Sequence, residues 1–475
     1  MLEPTARRRL NPQARRLRYG GRYFMDAGAR LRFNPRMNAS KNPDTTAAVT
    51  RRSFLRTSAL AASAATVGIL DLSRTAWAAG SDTLRIGMIG CGGRNTDAAG
   101  QALNADQGAK LVAMCDVLMD RVQSKREMLK RAKPAQVDVP DDHCFAGFDG
   151  YKKVIECCDV VLIANAAKFH PLHAMAAIQA GKHVFCEKPH GIDPYGIKRM
   201  QAASELARQK KLSLLSGLHS RHHPGYQETI KRIHDGAIGD IVAIEENFLR
   251  APYGVVSREP ELNEVQWQCS TQYHFVWLSG DDVVQSLVHN LDRASWALRE
   301  VAPVKCHGLG GRSSMTAPIY GNVFDHHSVV YEYASGVRLY ALCRTTQGCY
   351  NEYSSILLGT KGKADLMECR ITGETKWQGN PEANPHQLEH FVLFKAIRSG
   401  QPVNSGDYMT RSTLMGIMGQ ISCYTGKEVT WEQINRSDFA YAPKPEDCRD
   451  DMEPPVKPRP DGTYPVYVPG KTQLL

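Results

Sequence analysis

Short apolar runs alternate with polar helical segments over residues 81–222. A continuous apolar run is typical of a parallel strand buried on both faces, whereas a helix repeats its apolar residues every three or four positions. This alternation predicts an α/β domain with a doubly wound parallel sheet. The five predicted strands lie in "TLRIGMIG" from Thr83, "AKLVAMCDV" from Ala109, "CDVVLIAN" from Cys158, "KHVFCEKP" from Lys182 and "KLSLLSGLHSR" from Lys211.

The pattern changes in residues 223–442. Stretches such as "DIVAIEENFLRA" from Asp240 and "VVYEYASGVRLYALCR" from Val329 alternate more like antiparallel strands with tight turns. They predict an α+β domain with a large, mostly antiparallel open sheet. We expect a partner subunit to cover its broad face, in a homodimer or homotetramer. Residues 443–475 are rich in Pro and Lys and are predicted to be an extended tail.

The net charge of +10 is concentrated at the start of the chain. Residues 1–78 contain 15 of the 59 Lys and Arg residues but only four of the 49 acidic residues. The rest of the chain is therefore close to neutral, which argues against nucleic-acid binding.

The end of this leader has the pattern of an export signal. Arg51-Arg52 precedes an Ala-rich apolar stretch from Ala59 to Leu72, which is too short to span a membrane, and small residues end at Ala78. This order predicts a twin-arginine signal cleaved near Ala78, recognition by the twin-arginine machinery, a periplasmic or otherwise exported protein, and no membrane anchor after cleavage. Residues 1–36 are interpreted either as a genuine tail or as the result of a misplaced start codon, with Met37 as the true start.

The 13 cysteines have no metal-ligand or redox spacing and are predicted to be mostly buried free thiols. His326 and His327 follow Asp325, but adjacent side chains on a strand point to opposite faces. We therefore expect no metal site.

The first strand breaks into "GCGGRN", and the second ends in an acidic residue about twenty positions further on. Glycines in such a turn let the backbone approach a pyrophosphate, and the following helix N-terminus attracts it. An acid at the end of the second strand can bind ribose hydroxyls and would repel a 2′-phosphate, which favours NAD over NADP, although Arg121 could soften this preference. Asn95 departs from the pattern, since it replaces the third glycine. The cofactor-binding residues predicted here are Gly90, Gly92, Gly93, Arg94, Asn95 and Asp116.

Glu187-Lys188-Pro189 follows the fourth predicted strand, at the edge of the sheet where such folds bind ligands. Lys188 could hydrogen-bond a substrate hydroxyl and stabilise the alkoxide as hydride leaves. By itself this tripeptide is a common surface turn.

Together these motifs resemble the Gfo/Idh/MocA family, the glucose–fructose oxidoreductases and inositol dehydrogenases. The resemblance extends over nearly the whole chain after the leader. Members of the family that resemble this chain are often exported by the twin-arginine route, and several act on sugars, polyols or glycosides with a nucleotide that stays bound. The similarity implies that Lys188 lies beside the nicotinamide, with Glu187 and Asn165 at the cofactor, and that His289 is the general acid/base. The matching stretches are "IGMIGCGGRN", "MCDV", "HAMAAIQAGKHVFCEKP", "GAIGDI", "VHNLDRASWAL" and "LLGTKGKADL".

His289 lies in the helical pattern "DDVVQSLVHNLDRASWAL". Asp292 falls on the same helix face and could orient or charge the imidazole. The family places an Asp four residues before this His, but here that position is Gln285, which cannot accept a proton at neutral pH. Further candidates for substrate contact are Arg221, His222 and Tyr273.

The sequence therefore predicts an exported oxidoreductase that transfers hydride between a tightly bound NAD or NADP and a hydroxyl or keto group of a sugar, polyol or glycoside. Export in the folded state would let the protein capture its nucleotide in the cytosol. The alternative is a redox-neutral glycosidase or lyase acting through a transient keto-sugar, which Gln285 and export would also suit. A non-catalytic sugar-binding protein is a third possibility.

Overall fold

The computed structural model describes residues 82–475. The predicted leader of residues 1–78, with its twin-arginine motif and the cleavage position near Ala78, lies outside the described residues. Within residues 82–475, no helix is both long and apolar enough to cross a membrane.

In the first half of this range, strands and helices alternate. Their bounds are β1 (Leu84–Ile89), α1 (Gly93–Ala105), β2 (Ala109–Asp116), α2 (Met119–Ala132), β3 (Cys144–Ala146), α3 (Gly150–Cys157), β4 (Val160–Ile163), α4 (His170–Gln179), β5 (His183–Cys186), α5 (Pro194–Gln209), β6 (Leu214–Ser216) and α6 (Pro224–His234).

The second half contains most of the long strands. Its elements are β7 (Ile241–Arg250), α7 (Glu264–Ser270), α8 (Val276–Ser279), α9 (Asp281–Gln285), α10 (Val288–Ala297), β8 (Lys305–Gly311), β9 (His326–Glu332), β10 (Arg338–Thr345), β11 (Glu352–Gly359), β12 (Gly362–Asp365), β13 (Arg370–Gly373), β14 (Trp377–Gln378), α11 (Pro385–Ser399), α12 (Gly406–Thr425), β15 (Val429–Thr430) and α13 (Trp431–Arg436).

The first sheet is entirely parallel, in the order β3-β2-β1-β4-β5-β6. The predicted doubly wound fold is confirmed. All four residues of β4 are fully buried, and burial of such Val, Leu and Ile side chains stabilises the fold by about 1.5–3 kcal/mol each. The strand order reverses between β1 and β4, which opens a crevice at the carboxyl ends of these two strands. This crevice positions the candidate site.

The second sheet has the order β14-β13-β12-β11-β7-β10-β9-β8-β15, and its strands pair antiparallel except for β7 with β10. The predicted mostly antiparallel sheet is therefore confirmed. On one face the side chains pack against the helices, as for Leu339 and Ala341 of β10, which are fully buried. On the other face Leu309, Tyr340 and Leu358 are 77%, 40% and 39% exposed.

The helical pattern around His289 forms two helices rather than one. α9 ends at Gln285 and α10 begins at Val288, so Ser286 and Leu287 interrupt the helix. Because the last carbonyl groups of a helix have no partner within it, the interruption leaves the backbone oxygen of Gln285 available to another donor.

All thirteen cysteines, which lie between Cys91 and Cys448, are free, and nine are buried. This confirms the interpretation of mostly buried free thiols. The Pro-rich segment after residue 443 contains one short 3₁₀ helix, Pro445–Asp447, and is otherwise irregular. It is anchored by Tyr464, which is 3% exposed and packs edge-on against Phe275 with the ring centres 4.9 Å apart.

Candidate active site

The loop between β1 and α1 has the geometry of a phosphate-binding turn. Gly90 has φ +90°, and a Cβ atom there would lie 2.7 Å from the backbone of Asn165, so the turn requires glycine. The space above Gly92 and Gly93 is open to 4 Å. Gly92 caps α1 and no side chain occupies the helix end, so the first N–H groups of the helix can bind an anion.

Asn95 occupies the position where the motif has its third glycine. Its side chain is fully buried, and its amide nitrogen donates hydrogen bonds to the carbonyl oxygens of Ile89, Gly90 and Leu162 at 2.9, 2.9 and 3.2 Å. It joins α1 to β1 and β4. Asn95 therefore stabilises by hydrogen bonds the same helix–sheet contact that a glycine at this position allows by its small size.

Asp116 ends β2 and lines a cleft together with Gly90, Gly92, Arg121 and Asn165. Its carboxylate accepts hydrogen bonds from the backbone N–H of Cys91 at 2.7 Å and of Leu118 at 3.2 Å, which fixes it at the mouth of the cleft. The open loop, the uncapped helix and this carboxylate fit a dinucleotide with its ribose at Asp116. Arg121 lines the same cleft and donates to the carbonyl of Ser270 at 2.9 Å.

Lys188 follows β5, and its peptide bond to Pro189 is cis. Its Nζ donates to the backbone oxygen of Gln285 at 2.8 Å, using the carbonyl that the break between α9 and α10 leaves free. Burial lowers the pKa of Lys188, and Arg250 acts in the same direction, whereas Glu187 and Asp282 oppose it. The ammonium group is therefore held at a fixed point and is easier to deprotonate than a surface lysine.

Two predicted cofactor ligands, Arg94 and Glu187, contact each other. Arg94 Nε lies 2.7 Å from Glu187 Oε1, and the other carboxylate oxygen accepts the backbone N–H of Lys188 at 3.0 Å. Since Glu187 is 3% exposed, the pair stabilises the turn that carries Lys188. Both residues thus lie at the site, where they position the lysine.

A second residue braces the same turn. The two ring nitrogens of His170 contact the carbonyl oxygens of Pro189 at 2.7 Å and Asn165 at 3.0 Å. The imidazole bridges the loops after β4 and β5 at the edge of the crevice. His170 therefore positions the two loops that the resemblance places around the nicotinamide.

His289 lies in the first turn of α10 and is 9% exposed. Its ring centre lies 4.8 Å from that of His219, and among residues 82–475 its Nδ1 has no hydrogen-bond partner. Burial and the neighbouring His219, Lys188 and Arg293 lower the pKa of His289 well below its ordinary value. At neutral pH the imidazole is uncharged, which suits a proton acceptor.

Asp292 does not orient His289, so the expectation from helix spacing is wrong. Its two carboxylate oxygens accept hydrogen bonds from Arg221 at 2.8 and 3.0 Å and from Ser412 at 2.9 Å. The guanidinium geometry matches a carboxylate through two parallel bonds, and the fully buried Asp292 needs such a partner.

The same contacts correct the prediction that Arg221 reaches the substrate. Its Nη1 donates to Glu300 at 2.5 Å, and its guanidinium lies over the rings of Trp296 and Tyr408 at 5.0 and 4.4 Å. Burial opposes the charge of Arg221, but Asp292 and Glu300 outweigh it and raise the pKa. Arg221 is thus part of the buried support of α10. The pKa of the neighbouring His222 falls to about 4 through burial and the charge of Arg221.

A polar and aromatic wall near Lys188 combines the predicted Tyr273 with residues that sequence reasoning missed. Tyr273, a predicted substrate contact, stacks on Tyr253 with ring centres 4.1 Å apart. Tyr253 also hydrogen-bonds Ser286 at 2.9 Å, and Arg250 pairs with Asp282 at 2.5 Å. Arg250 belongs to β7, Tyr253 to the following loop and Asp282 to α9. No local motif marks them, since only the fold brings them together.

Comparisons with known proteins support this description. Residues 84–216 match the Gfo/Idh/MocA model, described as an oxidoreductase family with an NAD-binding Rossmann fold. Inositol 2-dehydrogenase 3 of Saccharopolyspora erythraea is 28% identical over 258 residues, a match that covers 54% of this chain and 65% of that protein.

Two further similarities are weaker in coverage or identity. A glycosyl hydrolase family 109 protein of Porphyromonas gingivalis is 29% identical over 171 residues, 35% of each chain. The crystal structure of an aldose-aldose oxidoreductase from Caulobacter crescentus, solved with glycerol, superposes with a TM-score of 0.56 at 18% identity and covers 73% of this chain and 99% of that one. This last likeness concerns the fold. Together, the family model and the inositol dehydrogenase relative show that residues 84–216 are similar to the NAD-binding Rossmann domain of the Gfo/Idh/MocA oxidoreductases.

Proposed function

We propose that the protein transfers hydride between a bound nicotinamide dinucleotide and a CH–OH group of a sugar or polyol. The observation that carries this proposal is the hydrogen bond from Lys188, at the carboxyl end of β5, to the carbonyl of Gln285, which ties the lysine to the segment that carries the buried His289. The similarity to inositol 2-dehydrogenase 3 supports the substrate class.

Oxidation of an alcohol needs a hydride acceptor, which the nicotinamide supplies when bound, and a base for the hydroxyl proton. His289 is uncharged at neutral pH and can take this proton through a ring nitrogen. Lys188, held by the carbonyl of Gln285, can donate a hydrogen bond to the substrate oxygen as negative charge develops. In the reverse direction His289 returns the proton to the alkoxide.

Asp116 favours NAD over NADP as the cofactor, because its carboxylate at the cleft mouth would repel a 2′-phosphate. Arg121 lines the same cleft, but its Nη2 is bonded to Ser270. Tyr273 stacks on Tyr253 through one face and can offer its other face, and Arg250 with Asp282 offers charged donors and acceptors. Such a combination suits a polyhydroxylated substrate.

Replacement of Lys188 tests this function with a matched control at the other end of β5. Lys182 also donates to a backbone carbonyl, that of Cys158 at 2.7 Å, but lies outside the crevice. We expect Lys188→Met and His289→Asn to reduce kcat by about 10²–10⁴-fold, the usual contribution of a proton-transfer group, while Lys182→Met keeps activity. Equal loss in the Lys182 and Lys188 variants would contradict a catalytic role.

The similarity to a glycosyl hydrolase family 109 protein favours a second candidate, a redox-neutral glycosidase. Such an enzyme would oxidise a ring hydroxyl with the bound nucleotide, eliminate the aglycone, add water to the resulting double bond and then return the hydride to the keto group. Product analysis separates the two, since this reaction releases an aglycone and leaves the nucleotide in its starting redox state.

We further propose that the chain is exported by the twin-arginine route with its nucleotide already bound. The support is the order of Arg51-Arg52, an apolar stretch and Ala78 in the sequence. An Arg51→Lys/Arg52→Lys variant should stay in the cytosol of a host with this pathway, while the parent chain appears in the periplasm.

A further inference from the structure

Three ligand-type side chains meet beside the turn that carries Lys188, outside the proposed proton-transfer pair. Glu187 comes from the end of β5, and His386 and Glu389 come from the first turns of α11. Each offers one ligand atom, and these atoms lie within 4.8 Å of one another. Residues three apart on a helix share a face, which explains why His386 and Glu389 point together.

The cluster contains acceptors that are buried without partners. Glu389 is fully buried, and neither of its carboxylate oxygens has a hydrogen-bond partner within residues 82–475. His386 Nδ1 is likewise buried without a hydrogen bond in this range. A buried carboxylate without a partner is costly, so such a group needs a cation or a proton.

Glu187 keeps free lone pairs although both of its oxygens have contacts. Arg94 approaches Oε1 and the backbone N–H of Lys188 approaches Oε2. A carboxylate has about four acceptor positions, so one oxygen can still bind an ion. With Arg94 included, the cluster contains two carboxyl groups and one guanidinium group.

We propose that Glu187, His386 and Glu389 bind one divalent transition metal ion of the Zn²⁺ type. One imidazole nitrogen and two carboxylate oxygens form a donor set that zinc accepts at about 2.0–2.2 Å, with tetrahedral donors about 3.3 Å apart. His386 Nδ1 and Glu389 Oε1 are 3.6 Å apart, close to that spacing. The side chain of His386 is 35% exposed and provides an entry path, and its ring is held against His219 at 4.1 Å.

This proposal does not depend on hydride transfer, since it concerns ion binding alone. The full chain is treated with a chelator, dialysed and titrated with Zn²⁺, and bound metal is measured by mass spectrometry. We expect one ion per chain, a thermal unfolding temperature that rises with Zn²⁺, and an X-ray absorption spectrum with one imidazole among oxygen ligands.

Glu389→Gln and His386→Ala should each weaken Zn²⁺ binding at least tenfold and abolish the rise in unfolding temperature. Glu389→Gln keeps the size of the side chain and leaves no buried carboxyl group without a partner, so it should fold. His307→Ala is the matched control, because His307 and Glu332 form an exposed His–Glu pair with N and O 3.9 Å apart. The proposal is overturned if the Glu389 variant binds Zn²⁺ as tightly as the parent chain, if His307→Ala abolishes binding, or if the parent binds none and Glu389→Gln is simply more stable.

Discussion

The substitution Asp292→Asn tests whether Arg221 stabilises the fold rather than contacting the substrate. The change keeps the size of the side chain but removes the charge that accepts two hydrogen bonds from Arg221 and one from Ser412. Breaking a buried ion pair by neutralising one partner costs about 3–5 kcal/mol. Because Arg221 keeps its ion pair with Glu300 at 2.5 Å, we expect a loss of stability at the lower end of this range, about 3 kcal/mol. This loss raises the unfolding equilibrium constant by about two orders of magnitude.

Urea unfolding followed by tryptophan fluorescence and circular dichroism measures this loss. Asp235→Asn is the control, because Asp235 pairs with Lys231 at 2.7 Å on an exposed helix surface, where such a pair adds little to stability. At temperatures where the variant is folded, KM should stay near that of the parent. If Asp292→Asn lost no more unfolding free energy than Asp235→Asn and its KM rose strongly, the structural role would be refuted and Arg221 would instead be a substrate contact.

Three further predictions concern pH, cofactor choice and assembly. Burial lowers the pKa values of His173, His190 and His390 to about 3, so the unfolded state binds more protons on these groups below pH 6.5. The three together should reduce stability by about 4 kcal/mol at pH 5.5, while Glu246, whose pKa burial raises to about 7, acts in the opposite direction. A His390→Leu variant should therefore lose less stability than the parent between pH 7 and 5.5, and an equal change in unfolding free energy would contradict this. Asp116→Ser should raise the affinity for NADP relative to NAD, measured by fluorescence titration. An unchanged ratio of the two affinities would show that Asp116 does not contact the ribose. If the exposed sheet face joins subunits, Tyr340→Asp should shift light-scattering mass towards the monomer, whereas an unchanged mass would exclude this face.

The first domain could be predicted because its signals are local. The strands β1, β2, β4 and β5 are apolar runs bounded by glycines, acids or turns, and the loop after β1 carries its chemistry in consecutive residues. β3 was missed, since Cys144–Ala146 is only three residues long and partly exposed.

The site was predicted only where a motif is contiguous. Lys188 was found from its tripeptide, and His289 from the family resemblance. The spacing of Asp292 suggested a partner for His289, but helix spacing cannot show that Arg221 competes for the same carboxylate from 71 residues away. The cluster of Glu187, His386 and Glu389 joins segments about 200 residues apart, so only the fold places them together.

Hydride transfer at a bound nicotinamide can be followed by the absorbance and fluorescence of the nucleotide. Both are measured on the purified protein before and after addition of sugars, polyols and glycosides, with Lys188→Met as the comparison. Reduction of bound nucleotide by one sugar or polyol, absent in the Lys188 variant, is the result we predict. A protein that binds no nucleotide, or one whose nucleotide keeps its redox state while glycosides are cleaved, would contradict it.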